Sequence, residues 1–218
     1  MKDSFFYPIL FMLVIVIIFV GVLAVAYRSS EGKIEKYRID EYNKTVLKLM
    51  ADKIAAAIDA DASEINAAYP ESFAQYVKEL PESDLDKRAF SAVVHDSTVA
   101  YCFEIKGKGL WGSIRALVAL STDYRTIIDF ALVDQMETPG LGARIEEPWF
   151  LSQFRNRFFI LNPGTEELTG KYEYIAETQE PENDMQLRRV TGATITSDAV
   201  VRMLKGEISE IYKHYEGQ

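Results

Sequence analysis

The stretch TVAYCFEIKGKGLWGSIRALVALSTDYRTIIDFALVD, residues 98–134, decides the fold. Apolar residues alternate with other residues from Val99 to Ile105, and this period of two is typical of a β-strand. Two further strands are predicted at Ser113–Leu120 and Thr126–Asp134. The short connection Ser121–Tyr124 is typical of a hairpin, so the sheet is predicted to be mainly antiparallel.

Helices are predicted to flank this sheet. A short helix is expected at Pro148–Phe154, and two more strands at Arg157–Leu161 and Tyr172–Ala176, with a turn at Asn162-Pro163-Gly164. A final helix is predicted for Ser197–Tyr215 because its apolar residues repeat every three or four positions. The predicted class is α+β, with an antiparallel-leaning sheet and flanking helices.

The N-terminus predicts a membrane anchor. All eighteen residues of Ile9–Ala26 are apolar or Gly, about the length that crosses the hydrocarbon core as a helix. A cleaved signal peptide is the alternative, supported by Lys2 and by the small residues Ala24 and Ala26. Signal peptides usually have shorter apolar runs, of about 7–15 residues, so a retained anchor is favoured.

A charged, Ala-rich segment follows the anchor. Apolar residues at Leu47, Met50, Ile54 and Ile58 have the spacing of an amphipathic helix, so Glu31–Ala68 is predicted to be a stalk helix that enters the domain. The predicted organisation is therefore an anchor in residues 1–30, a stalk in 31–68 and one domain in 69–218.

Composition excludes several classes of function. With 33 acidic and 24 basic residues the chain has a net charge of -9, so nucleic acid is not an expected partner. The single cysteine, Cys102, and the two histidines, His95 and His214, cannot assemble a zinc or iron–sulfur cluster within the chain. Cys102 lies in a predicted strand and is expected to be a small packing residue.

Three glycine-bearing loops interrupt the scaffold, at Gly107–Gly112, Glu137–Gly142 and Thr191–Thr194. Each is explained either as a connection or as a place where backbone N–H groups approach a ligand. The third loop has the residues of an anion site, because Thr196 and Ser197 stand where a helix N-cap belongs and Gly192 allows close approach. An N-cap without a ligand has the same residues, so both interpretations stay open.

The motif TGAT at Thr191–Thr194, followed by Ile195-Thr196-Ser197, resembles the flavinylation motif of the FMN-binding domain family. That family includes the C subunit of the Na+-translocating NADH:quinone reductase and the G subunit of the Rnf complex. GKGLWG at Gly107–Gly112, ETPGLGARI at Glu137–Ile145 and PWFLSQF at Pro148–Phe154 are similar to segments of these subunits in the same order. The Pro-Trp-Phe stretch and the GLWG run look closer to the quinone-reductase subunit.

The resemblance implies FMN as a covalent cofactor, joined through its phosphate to Thr194, the last Thr of the motif. It also implies a set of residues around the flavin. They are Thr191, Gly192, Ala193, Thr196, Ser197 and Arg189 around the phosphate, and Glu137, Thr138, Gly140, Leu141 and Gly142 around the ring, with Trp111 as a stacking neighbour or, alternatively, a core aromatic. Position 188 departs from the family pattern, since Arg188 stands where the transferase recognition pattern usually carries Asp.

The implied function is that of a membrane-anchored redox subunit that relays electrons inside an ion-translocating complex. A Thr hydroxyl is a poor nucleophile and no base is visible beside Thr194, so a separate flavin transferase is expected to attach the flavin. No nicotinamide-binding unit is predicted, so another subunit is expected to oxidise NADH. The other membrane subunits of the complex are the expected partners.

The location implied by the resemblance is the cell inner (plasma) membrane, with a single pass and the C-terminal domain on the outer, periplasmic side. The basic residues Arg28, Lys33, Lys36 and Arg38 favour the opposite orientation, but Glu31 and Glu35 dilute them and a large domain can translocate despite a few charges. Two alternatives remain: a tethered extracytoplasmic binding or sensory domain without flavin, and a solitary FMN-binding electron carrier.

Overall fold

The chain divides into two compact units, Met1–Tyr42 and Asn43–Gln218. A computed structural model describes residues 6–81, 87–158, 172–183 and 185–216. The described residues form an α+β architecture with an antiparallel sheet, which confirms the predicted class.

The first helix, α1, spans Phe6–Ile58 and is 53 residues long. It contains an apolar stretch with a mean hydropathy of 3.4, long and apolar enough to cross a membrane. Large apolar side chains between Phe6 and Val25 are exposed to the surroundings. The helix continues without a break across the predicted boundary between residues 30 and 31.

The C-terminal part of α1 belongs to the second unit and carries the predicted apolar face. Leu47, Met50 and Ile54 are all buried, whereas the residues between them include exposed positions such as Asp52 and Lys53. The three- and four-residue spacing in the sequence therefore located the packed side of this helix correctly.

The predicted end of the stalk helix, at Ala68, is wrong. The helix stops just before Asp59, whose φ of 55° is in the left-handed region, and Ala60 N–H donates to Ala55 O at 3.0 Å. Such a left-handed residue followed by a bond back to the last turn is a common helix ending. A separate short helix, α2 at Ala62–Ala67, then begins behind the N-cap Asp61, which accepts the N–H of Ser63.

Among the described residues, six strands form one antiparallel sheet in the order β1-β2-β3-β4-β5-β6. A third short helix, α3 at Glu71–Tyr76, leads into it. The strands are β1 Val77–Glu79, β2 Ala89–Val94, β3 Ser97–Lys108, β4 Ser113–Leu120, β5 Thr126–Asp134 and β6 Arg157–Phe158. In the central hairpin Tyr101 lies opposite Leu120 and Lys108 lies opposite Ser113.

The predicted strands at Ser113–Leu120 and Thr126–Asp134 are confirmed at both ends. The hairpin between them is confirmed too, because Tyr124 N–H donates to Ser121 O at 2.9 Å. Strands β1 and β2 precede the first predicted strand and were missed. In β2 five of the six residues are buried, so the strand lacks the alternation that marks a half-buried strand.

After β5 the chain forms a 3₁₀ turn at Gly142–Glu146 and helix α4 at Pro148–Ser152. Helix α4 is two residues shorter than predicted, because Phe154 N–H already donates to Leu151 O in a tighter turn. The predicted strand to Leu161 and the turn at Asn162-Pro163-Gly164 continue outside the described residues. Two further strands, β7 at Glu173–Ile175 and β8 at Gln186–Arg188, pair in parallel.

The last helix, α5, spans Thr194–Glu216 and packs on strand β3. Its predicted apolar face lies in the core together with the inward residues of the sheet. Val200, Leu204, Ile208 and Ile211 from α5 join Phe103, Ile105, Ile114, Val118, Ile127 and Phe130 from the strands, and all are at most 2% exposed. The opposite face of the sheet is buried as well.

Cys102 lies on that opposite face and is fully buried. Burial raises the pKa of its thiol far above the ordinary value, because the thiolate would lose its hydration. The expected packing role of Cys102 is thereby confirmed.

Candidate functional site

The carboxylate of Glu137 joins the three glycine-bearing loops. It is 5% exposed, and its Oε1 accepts the backbone N–H of Trp111 at 3.0 Å. Its Oε2 accepts the hydroxyl of the buried Thr196 at 2.6 Å. Trp111 lies in the first loop, Glu137 begins the second and Thr196 follows the third, so loops predicted separately meet at one buried carboxylate.

Close packing around this carboxylate explains two of the glycines, because a Cβ atom at Gly109 or at Gly142 would collide with a carboxylate oxygen of Glu137. A Cβ atom at Gly142 would lie 2.7 Å from Oε2 of Glu137 and 3.0 Å from Oγ1 of Thr196. Both distances are shorter than ordinary carbon–oxygen contacts, so position 142 has no room for a side chain. This glycine is thus required by packing within the chain, and the predicted approach of a ligand to the second loop stays a prediction.

The first loop, Gly107–Gly112, has the letters Gly-x-Gly-x-x-Gly of a dinucleotide-binding fingerprint. It joins two antiparallel strands, and Gly109 N–H donates to Gly112 O at 2.8 Å across the turn. The fingerprint works at the start of a helix within a parallel strand–helix–strand unit. This loop opens no helix but connects the two strands of a hairpin.

Helix α5 begins at Thr194, three residues earlier than predicted, and the predicted N-caps Thr196 and Ser197 lie inside its first turn. Both hydroxyls are buried and engaged elsewhere. Ser197 Oγ donates to Ala193 O at 3.0 Å and accepts the N–H of Val190 at 3.1 Å, while Thr196 donates to Glu137. The capping prediction is therefore wrong in its residues, although a helix N-terminus does lie at the motif.

Thr194 is exposed and occupies the first position of this 23-residue helix. The first N–H groups of a helix have no partner within it and favour an anion. The tight turn before it has Ala193 N–H bonded to Val190 O at 3.0 Å, and Gly192 has a φ of 77° that only glycine adopts without strain. The predicted close backbone approach at Gly192 fits this conformation.

Thr191, at the other end of this turn, donates its N–H to Oε2 of Glu177 at 2.8 Å. Glu177 is in turn paired with Arg144, whose Nη2 lies 2.5 Å from Oε1. The hydrogen bonds from Arg144 and Thr191 lower the pKa of Glu177 to about 2. Neither Glu177 nor Arg144 was singled out from the sequence, since neither was expected to contact the motif.

The two arginines before the motif point to different neighbours. Arg189 makes a bidentate pair with Asp198 of α5, at 2.8 and 3.0 Å, and its guanidinium lies 3.7 Å from the ring centroid of Tyr174. Arg188 lies over the ring of Trp149 at 5.1 Å. The two side chains therefore diverge, and the charge of Arg189 is already balanced by Asp198.

Exposed apolar side chains surround the meeting point of the loops. Trp111 is 72% exposed, so the alternative interpretation of it as a core aromatic is wrong, and Leu141 is 48% exposed. Three neighbours with the same property were missed: Leu110, Met136 and Ile195, exposed at 47, 66 and 56%. Their sequence did carry a signal for these exposed positions, namely apolar residues in or beside the glycine-bearing loops. We call these five residues the apolar rim.

The remaining predicted residues shape the second loop. Thr138 is exposed, and its carbonyl accepts the N–H groups of Leu141 and Ala143, both at 3.1 Å. Gly140 has a φ of 75°, which a tight turn of this kind requires. The turn holds the side chain of Leu141 next to the motif, because a Cβ at Gly192 would lie 3.2 Å from its Cδ2.

Residues 109–208, which contain most of the first loop and all of the other two, match the model of the FMN-binding domain family. This part of the chain is therefore similar to the FMN-binding domain. The predicted resemblance is thereby confirmed. The match begins in the first loop and ends in α5, so it covers the sheet strands β4–β6 and the whole convergence on Glu137.

The sequence relatives of this chain are named as subunits of two kinds of complex. The G subunit of the proton-translocating ferredoxin:NAD(+) oxidoreductase complex of Clostridium ljungdahlii is 31% identical over 56% of this chain and 58% of its own length. The G subunit of the ion-translocating oxidoreductase complex of Methanosarcina acetivorans is 33% identical over 53% of each chain. The C subunit of the Na(+)-translocating NADH-quinone reductase of Vibrio alginolyticus is 38% identical over 33% of this chain and 30% of its own length.

The chain thus spans a little over half the length of the first two relatives. Solved structures of similar fold include the C subunit of the Na(+)-translocating NADH-quinone reductase from Parabacteroides distasonis, with a TM-score of 0.51, 20% identity and coverage of 81% of this chain and 94% of that one. The NqrC of Shewanella oneidensis gives a TM-score of 0.55 at 18% identity, covering 80% of this chain and 99% of that one. These two structures establish the fold.

Proposed function

We propose that this chain is a membrane-anchored electron-carrier subunit that holds FMN covalently through a phosphoester at Thr194. It relays electrons within an ion-translocating NADH:quinone reductase or Rnf-type complex, and the other membrane subunits are its partners. The match of residues 109–208 to the FMN-binding domain and the names of the relatives support this proposal. The apolar helix at the N-terminus supports a membrane location.

The observation that carries the proposal is the position of Thr194. This residue is exposed at the first position of a long helix, next to a turn with a left-handed Gly192, and the apolar rim lies beside it. The helix N-terminus suits a phosphate, and exposed apolar side chains suit a flat aromatic ring. The residues present therefore fit FMN.

The charge of the bound phosphate also fits an ester. A free FMN phosphate carries up to two negative charges near pH 7, whereas a phosphate esterified on both sides carries one. Arg189, two residues before the motif, and Arg144, which is bonded to the acceptor of the Thr191 N–H, are already paired with carboxylates of Asp198, Glu147 and Glu177. A singly charged diester needs less positive charge nearby than a doubly charged phosphate. The partial positive charge at the N-terminus of α5 is suited to stabilise it.

FMN supplies the redox chemistry when it is bound, and the protein positions it. Attachment through the phosphate leaves the ring chemically unmodified. Leu141, Trp111 and the other rim residues would shield the ring from water, while the buried Glu137 keeps the three loops in register. Because the first loop serves a hairpin, we propose that a different subunit oxidises NADH.

We further propose that a flavin transferase attaches the flavin and that the domain lies on the outer side of the membrane. Among the hydrogen bonds of the described residues, none links the Thr194 hydroxyl to a carboxylate or imidazole able to activate it. A Thr hydroxyl without a base is unreactive near neutral pH, which is why an external enzyme is required.

The test is denatured intact mass with in-gel flavin fluorescence, on the full chain co-expressed with a matching flavin transferase. We expect a covalent FMN mass in the native chain and in Thr194→Ser, and none in Thr194→Ala. The control is Thr122→Ala, an exposed Thr in the β4–β5 turn at the opposite end of strand β4, which should keep the flavin. Absence of covalent flavin from every chain would refute the proposal and favour a tethered binding domain.

Purification of the native complex in mild detergent separates the remaining candidates. Co-purifying membrane subunits would identify a quinone-reductase or Rnf-type complex. A flavin-bearing chain that purifies alone would indicate a solitary electron carrier.

A further inference from the structure

A group of charged side chains outside the glycine-bearing loops holds the turn that precedes Thr194. Arg144, in the 3₁₀ turn after the second loop, donates to both oxygens of Glu147, at 2.8 and 3.1 Å. The same guanidinium donates to both oxygens of Glu177, at 2.5 and 3.1 Å. Oε2 of Glu177 then accepts the backbone N–H of Thr191. A continuous chain of bonds therefore runs from the second loop to the motif.

Two side chains of the described residues hydrogen-bond the backbone of the Val190–Ala193 turn at different atoms. Ser197 bonds to Val190 N–H and Ala193 O. Glu177 bonds to Thr191 N–H. Between these two anchors lies Gly192, whose lack of a side chain leaves the backbone free to adopt many conformations.

We propose that Glu177 is a positioning residue for flavin attachment, because its carboxylate fixes the turn that presents the Thr194 hydroxyl to the transferase. This inference rests on the proposed function. With Glu177 in place, the backbone from Thr191 to Ala193 is bonded at both ends, and the direction of the first helical residue is set. Without it, the Thr191 N–H loses its carboxylate acceptor and this end of the turn is released.

The guanidinium of Arg144 orients the carboxylate of Glu177. A guanidinium that donates two parallel bonds to a carboxylate fixes its plane as well as its position. Glu147 holds the other edge of Arg144, and Trp149 Nε1–H donates to Glu147 at 2.5 Å, so each member of the group is fixed by the next. The depressed pKa of Glu177, about 2, keeps the carboxylate ionised throughout the neutral range.

The reaction that depends on this geometry needs an activated flavin. Joining Thr194 to FMN itself would release water and is unfavourable, so the donor we invoke is a flavin dinucleotide, whose phosphoanhydride bond is reactive. The oxygen of Thr194 forms the new bond to the flavin-side phosphorus, and the phosphoanhydride bond breaks. The nucleoside monophosphate leaves with the electron pair, and a base of the transferase takes the hydroxyl proton. No atom changes its oxidation state.

The experiment measures initial rates of flavin attachment to the full chain in detergent, with transferase and flavin dinucleotide. We expect Glu177→Ala to lower the rate at saturating chain concentration by about tenfold or more, the factor for loss of one hydrogen bond to a charged group. Glu177→Gln keeps an acceptor for the Thr191 N–H and should restore a large part of the rate. A merely structural role would not produce this rescue.

The matched control is Glu180→Gln, in the same segment, whose side chain is 89% exposed and lies 3.6 Å from Arg188. It should attach flavin at the native rate. A native rate for Glu177→Ala, or an equal loss in Glu180→Gln, would overturn the inference. If circular dichroism shows that Glu177→Ala does not fold, a folded Glu177→Gln chain takes its place. A rate of attachment to Glu177→Gln below the native rate but above a tenth of it supports the inference. A rate at or below a tenth of the native rate overturns it.

The native chain separates this inference from the proposed function. No attachment to the native chain would refute the function at Thr194, and the role of Glu177 with it. Attachment to the native chain and equally fast attachment to Glu177→Ala would refute only the role of Glu177.

Discussion

Replacing Thr196 by Val tests whether the buried hydrogen bond to Glu137 holds the loops together. The two residues are 1 and 5% exposed, and their oxygens lie 2.6 Å apart. Val has nearly the shape of Thr but no hydroxyl, so the carboxylate loses one donor and water cannot replace it. A hydrogen bond to a charged group contributes about 1.5–3 kcal/mol, and we expect the free energy of unfolding to fall by this amount.

The assay is thermal unfolding of the full chain in detergent, followed by near-UV circular dichroism. For a unit of this size each kcal/mol shifts the midpoint by about 2–4 °C, so the expected decrease is about 3–12 °C. Thr138→Val is the matched control, because it makes the same change at an exposed position of the second loop. It should change the free energy of unfolding by less than about 0.5 kcal/mol.

A second comparison assigns the loss to the pair. In a Glu137→Gln background the Thr196→Val change should cost less than in the native chain, because the acceptor no longer carries a charge. Equal costs in the two backgrounds, or a Thr196→Val midpoint that matches that of Thr138→Val, would refute the role of Glu137 as the point that joins the loops.

Three further results are expected. Gly142→Ala should destabilise the domain by about 1–3 kcal/mol, because the added Cβ atom would lie 2.7 Å from the Glu137 carboxylate. Gly206→Ala, in open space on α5, should stabilise the domain by about 0.5–1 kcal/mol. Chemical denaturation measures both changes. Glu177 has a folded pKa of about 2, below its ordinary 4.5, so the stability that its ionised carboxylate contributes is complete above about pH 5 and is lost as pH falls towards 2. In acid denaturation, the free energy of unfolding should therefore fall less steeply with pH in Glu177→Gln than in the native chain over this window. Trp111→Ala should leave the midpoint of unfolding unchanged, since the side chain is 72% exposed, but alter the visible circular dichroism of the attached flavin.

The sequence predicted those parts of the fold that depend on local patterns. Strands β4 and β5 were located at both ends because a hairpin signal separates two apolar stretches. Strand β2, Ala89–Val94, was missed because it is buried almost throughout, and a short apolar run has no period to detect. The end of α1 was missed for a different reason, since the left-handed Asp59 is not a glycine and carries no strong stop signal.

The sequence singled out the three loops of the candidate site but not the contacts that join them. Thr196 and Ser197 carry hydroxyls at a helix start, which is the local signature of an N-cap. Their actual partners are Glu137, 59 residues away, and Val190, seven residues away, and a local pattern cannot reveal either. Glu177 is an extreme case, because it touches the motif from a segment with no recognisable pattern at all.

The meeting of three loops at Glu137 also bears on when the proposed attachment of flavin can occur. The carboxylate bonds a residue 26 positions before it and another 59 positions after it, so its bonds are complete only after the central hairpin, β5 and the last helix have come together. Contacts between distant parts of a chain generally form late, because the intervening loops must close first. The Thr194 hydroxyl therefore reaches its presented position only in a finished domain. A transferase that requires this presentation would modify folded chains and leave unfolded chains unmodified. Each chain that carries the covalent cofactor would then be one whose domain had folded correctly before the flavin was attached.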